Sequence, residues 1–115
     1  MIHTLEFLNN VHSGCCGNVT VRLGLKWFRQ VAPGDIVNIA ETGKKPDAQA
    51  RIYGVFASPM IGIPWDLLDL EHDESCRDYS GLLAGMKTAY PDAEINDDTV
   101  VTCLIYDIID HEGDE

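Results

Sequence analysis

Apolar and polar residues alternate along several short stretches of the chain, which is the pattern of a β-strand with one buried face. Val19, Val21 and Leu23 alternate with polar residues, and residues 50–57 repeat the pattern after a polar loop. Residues 99–109 are apolar almost throughout and rich in β-branched side chains, which predicts a central strand covered on both faces. The pattern therefore predicts five strands, at residues 2–8, 19–23, 35–40, 50–57 and 99–109.

Helical spacing is clearest in residues 79–90, where apolar side chains recur at i, i+3, i+4, i+7 and i+11 before Pro91 ends the helix. Ser75, with Asp78 three residues later, predicts a capping box just ahead of this helix. Two shorter helices are predicted, at residues 24–31 and at residues 65–70, the second of them after Pro64.

The order of these elements is strand, strand, short helix, strand, strand, helices, strand. Several short strands with helices on one side or end predict an α+β fold, a small barrel of about five strands with two or three helices. Because the chain has 115 residues, we expect one domain, residues 1–115, with one core. We expect the acidic tail, residues 110–115, to fray.

The charge of the chain is unevenly distributed. Eight Lys and Arg residues against 19 Asp and Glu residues give a net charge of −11. Residues 1–55 hold six basic and four acidic residues, whereas residues 56–115 hold two basic and 15 acidic ones. The total argues against broad, non-specific binding to a phosphate backbone, which requires a cationic surface. It does not argue against a local cationic cleft in the first half.

Cysteine usage and hydropathy indicate a cytoplasmic protein with reduced thiols. Cys15 and Cys16 are adjacent rather than spaced as metal ligands, and Cys103 lies in an apolar run typical of a core. His72 and Cys76 stand at i and i+4, but further ligands would have to come from distant residues, so we expect neither metal nor cofactor. We expect no secretory signal and no membrane span, since no long apolar run is present.

Residues 19–37 resemble the start of an ASCH domain, a member of the PUA-like superfamily. In those domains a Gly-x-Lys element follows a strand, and a Gly-Asp pair opens the next strand after a short helix. Gly24 and Lys26 match the first element, and Gly34 and Asp35 match the second. The resemblance implies a small PUA-like pseudobarrel with a cleft between barrel and helix, and it implies RNA binding.

Some ASCH relatives hydrolyse N4-acetylcytidine, and their Gly-x-Lys element is followed by a Thr and a Lys, with a Glu on a later strand. Here Lys26 is followed by Trp27, Phe28 and Arg29, and neither Asp35 nor Glu41 stands where that Glu would be. We therefore assign no catalytic residue. The resemblance favours a binding domain, with an amidohydrolase of this type as the alternative.

Basic and aromatic residues occur together near the Gly-x-Lys element. Charge for a phosphate beside a flat π surface for a base is the composition of a nucleotide site. The alternative is that Trp27 packs in the core and the cations are ordinary solvated surface. We predict a site for RNA or a modified nucleotide formed by Arg22, Lys26, Trp27, Arg29, Arg51 and Tyr53.

Six carboxylates occur within 13 positions of the acidic half. Such an array either keeps the domain soluble or imitates nucleic-acid phosphates, which would make the chain a binding or inhibitor module for a basic protein partner. The six residues are Asp66, Asp69, Glu71, Asp73, Glu74 and Asp78.

Overall fold

The computed structural model describes residues 2–8 and 17–111. The predicted order of strands and helices is confirmed, although most bounds differ by one or two residues. The strands are β1 (Thr4–Phe7), β2 (Asn18–Leu23), β3 (Ile36–Glu41), β4 (Ala48–Pro59) and β5 (Val100–His111). The helices are α1 (Lys26–Gln30), α2 (Trp65–Leu68) and α3 (Tyr79–Ala89), with 3₁₀ turns at Met60–Gly62 and Glu74–Cys76.

All five strands form one mixed sheet in the order β1-β3-β4-β5-β2. The β1–β3 pair is parallel and the other pairs are antiparallel, which confirms the α+β class. Within residues 2–8 and 17–111, no strand ladder joins β1 to β2, so a closed pseudobarrel is not confirmed. We call the gap between these two edge strands the seam.

A short segment occupies the free edge of β2. The backbone N–H of Val19 donates to the carbonyl of Leu70 (2.8 Å), and that of His72 donates to the carbonyl of Val19 (2.9 Å). Residues 70–72 therefore add one bridge beside β2 at the seam. This pairing covers part of an otherwise open strand edge.

The sheet separates two apolar clusters. On one face, Ile52 of β4 packs with side chains of β1, β3 and β5, and Tyr106 is fully buried there. On the other face, Leu82 and Met86 of α3 pack against β2 and β5. Cys103 is fully buried in this second cluster, which confirms its predicted place in the core.

Two irregularities in the β4–β5 pairing, at Gln49/Ala50 and Ile52/Gly54, change which side chains face each cluster. A bulge of this kind bends a strand and increases its twist. The sheet can therefore curl enough for its two edge strands, β1 and β2, to approach each other across the seam.

One sequence prediction about the acidic half is wrong. Asp78 itself caps α3, accepting from the N–H of Gly81 (2.7 Å), because a separate 3₁₀ turn occupies residues 74–76. Asp73 caps that turn, accepting from the N–H of Ser75 (3.0 Å), so the predicted capping box does not form. β5 pairs with β4 through residue 111, and the fraying of the acidic tail stays a prediction.

Residues 1, 9–16 and 112–115, which include Cys15, Cys16 and the rest of the acidic tail, lie outside the described residues. Within the described part of the chain, no helix has the length and apolar character needed to cross a membrane.

Candidate functional site

A cavity of about 700 Å³ lies between the seam and α3. Its walls come from the end of β1, from β2, from residues 71–76 and from one side of α3. We call it the seam cavity. Its polar lining includes Thr20, Arg22, Thr42, Glu71, His72 and Tyr90.

Arg22 spans the seam. Its Nη1 donates to the backbone carbonyl of Glu6 on β1 (2.7 Å), and its Nε donates to Oγ1 of Thr20 (3.2 Å). The guanidinium carbon lies 4.5 Å from the ring centroid of Phe7. Burial lowers the pKa of Arg22 from its ordinary value, yet an arginine keeps its charge in a protein. Arg22 therefore places a half-buried cation in the wall of the seam cavity.

Phe7 is the aromatic centre of the seam. It is almost completely buried, and the ring of His72 meets it edge-on with 4.6 Å between centroids. Arg22 contacts the same ring by a cation–π interaction. The Phe7 ring of β1 thus packs against Arg22 of β2 and against His72 of the 70–72 segment.

Glu71 is the most unusual group in the cavity, because a carboxyl group is only 3% exposed there. Burial raises its pKa to about 8, although the N–H of Asp73 and the charge of Arg22 act in the opposite direction. Oε1 of Glu71 accepts from the N–H of Asp73 (3.2 Å) and lies 3.1 Å from Nε2 of His72. At neutral pH Glu71 is therefore mainly a neutral acid, able to donate one hydrogen bond and accept others.

The backbone places Glu71 in this position. Residues 70–72 pair with Val19, and Nε of Arg77 donates to the Glu71 carbonyl (3.0 Å). Sequence reasoning missed Glu71 as a site residue and counted it in an exposed acidic array. Its neighbours Asp69, Asp73 and Glu74 are also acidic, so nothing in the local pattern distinguishes the one carboxyl that is buried.

The thiol of Cys76 also faces this cavity. Burial, together with the nearby Glu71 carboxyl, raises the pKa of the Cys76 thiol. Because the thiolate is the nucleophilic form, a protonated and buried Cys76 is suited to packing rather than to covalent chemistry. Within residues 2–8 and 17–111, no group of three or more His, Cys, Asp and Glu side chains is arranged to hold a metal.

The structure places the predicted site residues in different surroundings. Arg22 lines the seam cavity, whereas the other five are absent from the walls described for it. Lys26 and Arg29 are exposed on α1, and Arg51 and Tyr53 are exposed on β4. Trp27 is half-buried against the first apolar cluster, with its ring 5.9 Å from that of His3. Packing of Trp27 on the core is the alternative that the sequence left open.

The six predicted carboxylates do not form one exposed array. Glu71 is buried in the cavity and Asp73 is half-buried, while the remaining four are exposed. A surface that imitates nucleic-acid charge would have to use other residues in place of Glu71.

Solved structures that are similar to this chain include the following two. One is a protein of Enterococcus faecalis V583 described as family-model DUF984, with a TM-score of 0.64, 15% identity, and coverage of 84% of this chain and 63% of that one. The other is an ASCH domain from Lactobacillus crispatus JV V101, with a TM-score of 0.63, 10% identity, and coverage of 84% and 67%. This chain therefore spans about two thirds of each. No family model matches it, and no curated protein matches it.

The chain has an ASCH-like fold, which confirms the resemblance noted in its sequence. At 10–15% identity, the two structures establish the fold alone.

Replacing Glu71 tests the buried carboxyl. Its pKa rises from 4.5 in the unfolded chain to about 8 in the folded one, so between these values only the folded chain keeps the proton. The protonated carboxyl group therefore contributes fully to stability below about pH 4.5, and this contribution is lost as the pH rises to about 8. The free energy of unfolding falls by no more than about 1.4 kcal/mol for each pH unit. Urea denaturation from pH 5 to 8 should show the wild type losing free energy of unfolding relative to Glu71→Gln. Parallel pH profiles would contradict the buried, protonated state.

Proposed function

We propose that this domain binds RNA or a modified nucleotide in the cytoplasm and holds one base in the seam cavity. A single observation carries the proposal, namely a cavity of about 700 Å³ that joins the Arg22 guanidinium to the buried Glu71 carboxyl. The ASCH-like fold supports it, because the resemblance to that family implies RNA binding.

The size and chemistry of the cavity suit a nucleobase. Pockets for small ligands usually measure about 300–1,000 Å³ and combine apolar walls with a few polar groups. Single-stranded RNA bases are read by stacking on aromatic or guanidinium planes and by hydrogen bonds to their edges. Arg22 supplies the plane, and a protonated Glu71 supplies a donor and an acceptor for one edge of a base.

Phosphates fit better outside the cavity than inside it. Asp73 lines the cavity, and a phosphate would bring further negative charge beside this acidic side chain. Lys26 and Arg29 are exposed on α1, which begins four residues after Arg22, and we assign phosphate contacts to them. Trp27, Arg51 and Tyr53 complete the proposed surface as stacking and phosphate-binding residues. With a net charge of −11, the chain favours a short ligand over a long duplex.

Glu71 also favours a second candidate, an amidohydrolase that acts on N4-acetylcytidine. A carboxyl group with a pKa near neutrality can transfer a proton while water adds to the acetyl carbonyl and the bond to N4 breaks, releasing acetate and cytidine. Chromatography of N4-acetylcytidine after incubation with the protein distinguishes the two functions. An amidohydrolase must release cytidine, whereas a domain that only binds must not.

The phosphate contacts are tested by removing Lys26 and Arg29 together. Because both are exposed, the Lys26→Ala/Arg29→Ala variant should stay folded and bind a single-stranded RNA octamer at least tenfold more weakly in filter binding. The slope of log K against log salt should fall by about 0.7 for each lost contact. The control is Lys45→Ala/Lys87→Ala, which makes the same charge change at exposed positions elsewhere. Equal losses in both variants would refute a local site.

The cavity itself is tested by filling it from α3. Ala84 is exposed and lines the cavity, so Ala84→Phe should occupy the space without disturbing the core. Ser80→Phe places the same ring at an exposed α3 position away from the cavity walls. Calorimetric titration with cytidine and N4-acetylcytidine should show binding to wild type and Ser80→Phe and at least tenfold weaker binding to Ala84→Phe. Unchanged binding by Ala84→Phe would place the base elsewhere.

A further inference from the structure

Trp65, the first residue of α2, is 86% exposed. Ile61, four residues earlier in the 3₁₀ turn, is 59% exposed. The indole of Trp has one of the largest apolar surfaces of any side chain. An indole left in water therefore does not contribute the hydrophobic free energy that its burial would give. Two large apolar side chains exposed four residues apart in the chain are typical of a surface used for binding.

A second segment lies beside this turn. The N–H of Ile61 donates to the carbonyl of Asp97 (3.0 Å), and the N–H of Met60 donates to the carbonyl of Thr99 (2.8 Å). Val100, which pairs with Pro59 at the end of the β4–β5 ladder, is 44% exposed. We define the Trp65 patch as the exposed residues Ile61, Trp65 and Val100 with the carboxylates Asp66, Asp69, Asp97 and Asp98.

The acidic part of the patch is held in place before any partner arrives. The N–H of Asn96 donates to Oγ1 of Thr99 and the N–H of Asp98 donates to Oδ1 of Asn96, both at 2.9 Å. The Tyr79 hydroxyl of α3 donates to the Asp97 carboxylate, a bond that raises the pKa of Tyr79 to about 12. Because the loop is already ordered, binding there would lose less conformational entropy.

The charge of the patch selects the chemistry of its partner. The sequence contains no Lys or Arg between residues 52 and 76, nor after Lys87. Among the residues that the structure describes, none of the four carboxylates of the patch pairs with a cation. Nucleic-acid phosphates would be repelled. A second copy of the chain meeting the same patch would also place four carboxylates against four.

We propose that the Trp65 patch binds an arginine-bearing segment of a basic protein partner. The Trp65 face takes a guanidinium by a cation–π interaction, since Trp is the best ring and Arg the commonest cation for that contact. Asp97 and Asp98 accept its hydrogen bonds, because carboxylates pair with the guanidinium fork. No residue of the patch is among those described for the seam cavity, so this surface is separate from the proposed RNA site.

The test measures the fluorescence anisotropy of a labelled decapeptide of alternating arginine and leucine. The full chain should bind it saturably. Trp65→Ser and Asp97→Asn/Asp98→Asn should each weaken binding at least tenfold, because one removes the ring and the other removes the carboxylates. Glu74→Gln/Asp92→Asn makes the same charge change at exposed residues outside the patch and should alter affinity less than threefold.

Four results would overturn the proposal. The first is no binding, and the second is an equal loss in the control variant, which would indicate general attraction to an acidic chain. The third is a Trp65→Ser chain that sediments as a smaller species than the wild type, which would make a second copy the occupant. The fourth is a loss of RNA octamer binding by Trp65→Ser, which would assign the patch to the RNA site; unchanged RNA binding keeps the two proposals independent.

Discussion

The arrangement of this domain depends on how Arg22 joins the two open edges of its sheet. β1 and β2 lie at opposite ends of the strand order, and the guanidinium of Arg22 reaches from β2 to the Glu6 carbonyl of β1. A hydrogen bond from a charged donor is stronger than one between two neutral groups. The same side chain packs on Phe7 and lines the cavity, so one residue holds the seam and shapes the proposed site.

Glu71 gives this seam its chemistry. Moving a carboxylate out of water is costly, and burial keeps Glu71 protonated even though the N–H of Asp73 and the charge of Arg22 favour its ionised form. A neutral acid and a cation in one cavity offer a donor, an acceptor and a plane to a single ligand. On the outside of the molecule, by contrast, the carboxyl groups of the Trp65 patch are exposed to solvent. One acidic half therefore supplies two different surfaces.

The sequence was informative wherever local pattern decides structure. The alternation of Val19 with its neighbours and the helical spacing before Pro91 predicted β2 and α3, because the period of apolar residues fixes which face is buried. Prediction from the sequence failed where tertiary contacts determine the local structure. Asp78 became the cap of α3 only because a separate turn ends just before it, and Glu71 became a site residue only because its backbone pairs with Val19. Arg22 was included in the predicted site because other basic residues lie near it in the sequence. Of the six predicted residues, it is the one found in the wall of the cavity.

Amide hydrogen exchange in Arg22→Met, with Arg29→Met as the control, tests most directly whether Arg22 holds the seam. Met keeps much of the apolar stem but cannot bond the Glu6 carbonyl, whereas Arg29 is exposed on α1. Amides of residues 4–7 and 70–72 should exchange at least tenfold faster in Arg22→Met and at wild-type rates in Arg29→Met. Equal protection of these amides in both variants would show that the seam is held by other contacts.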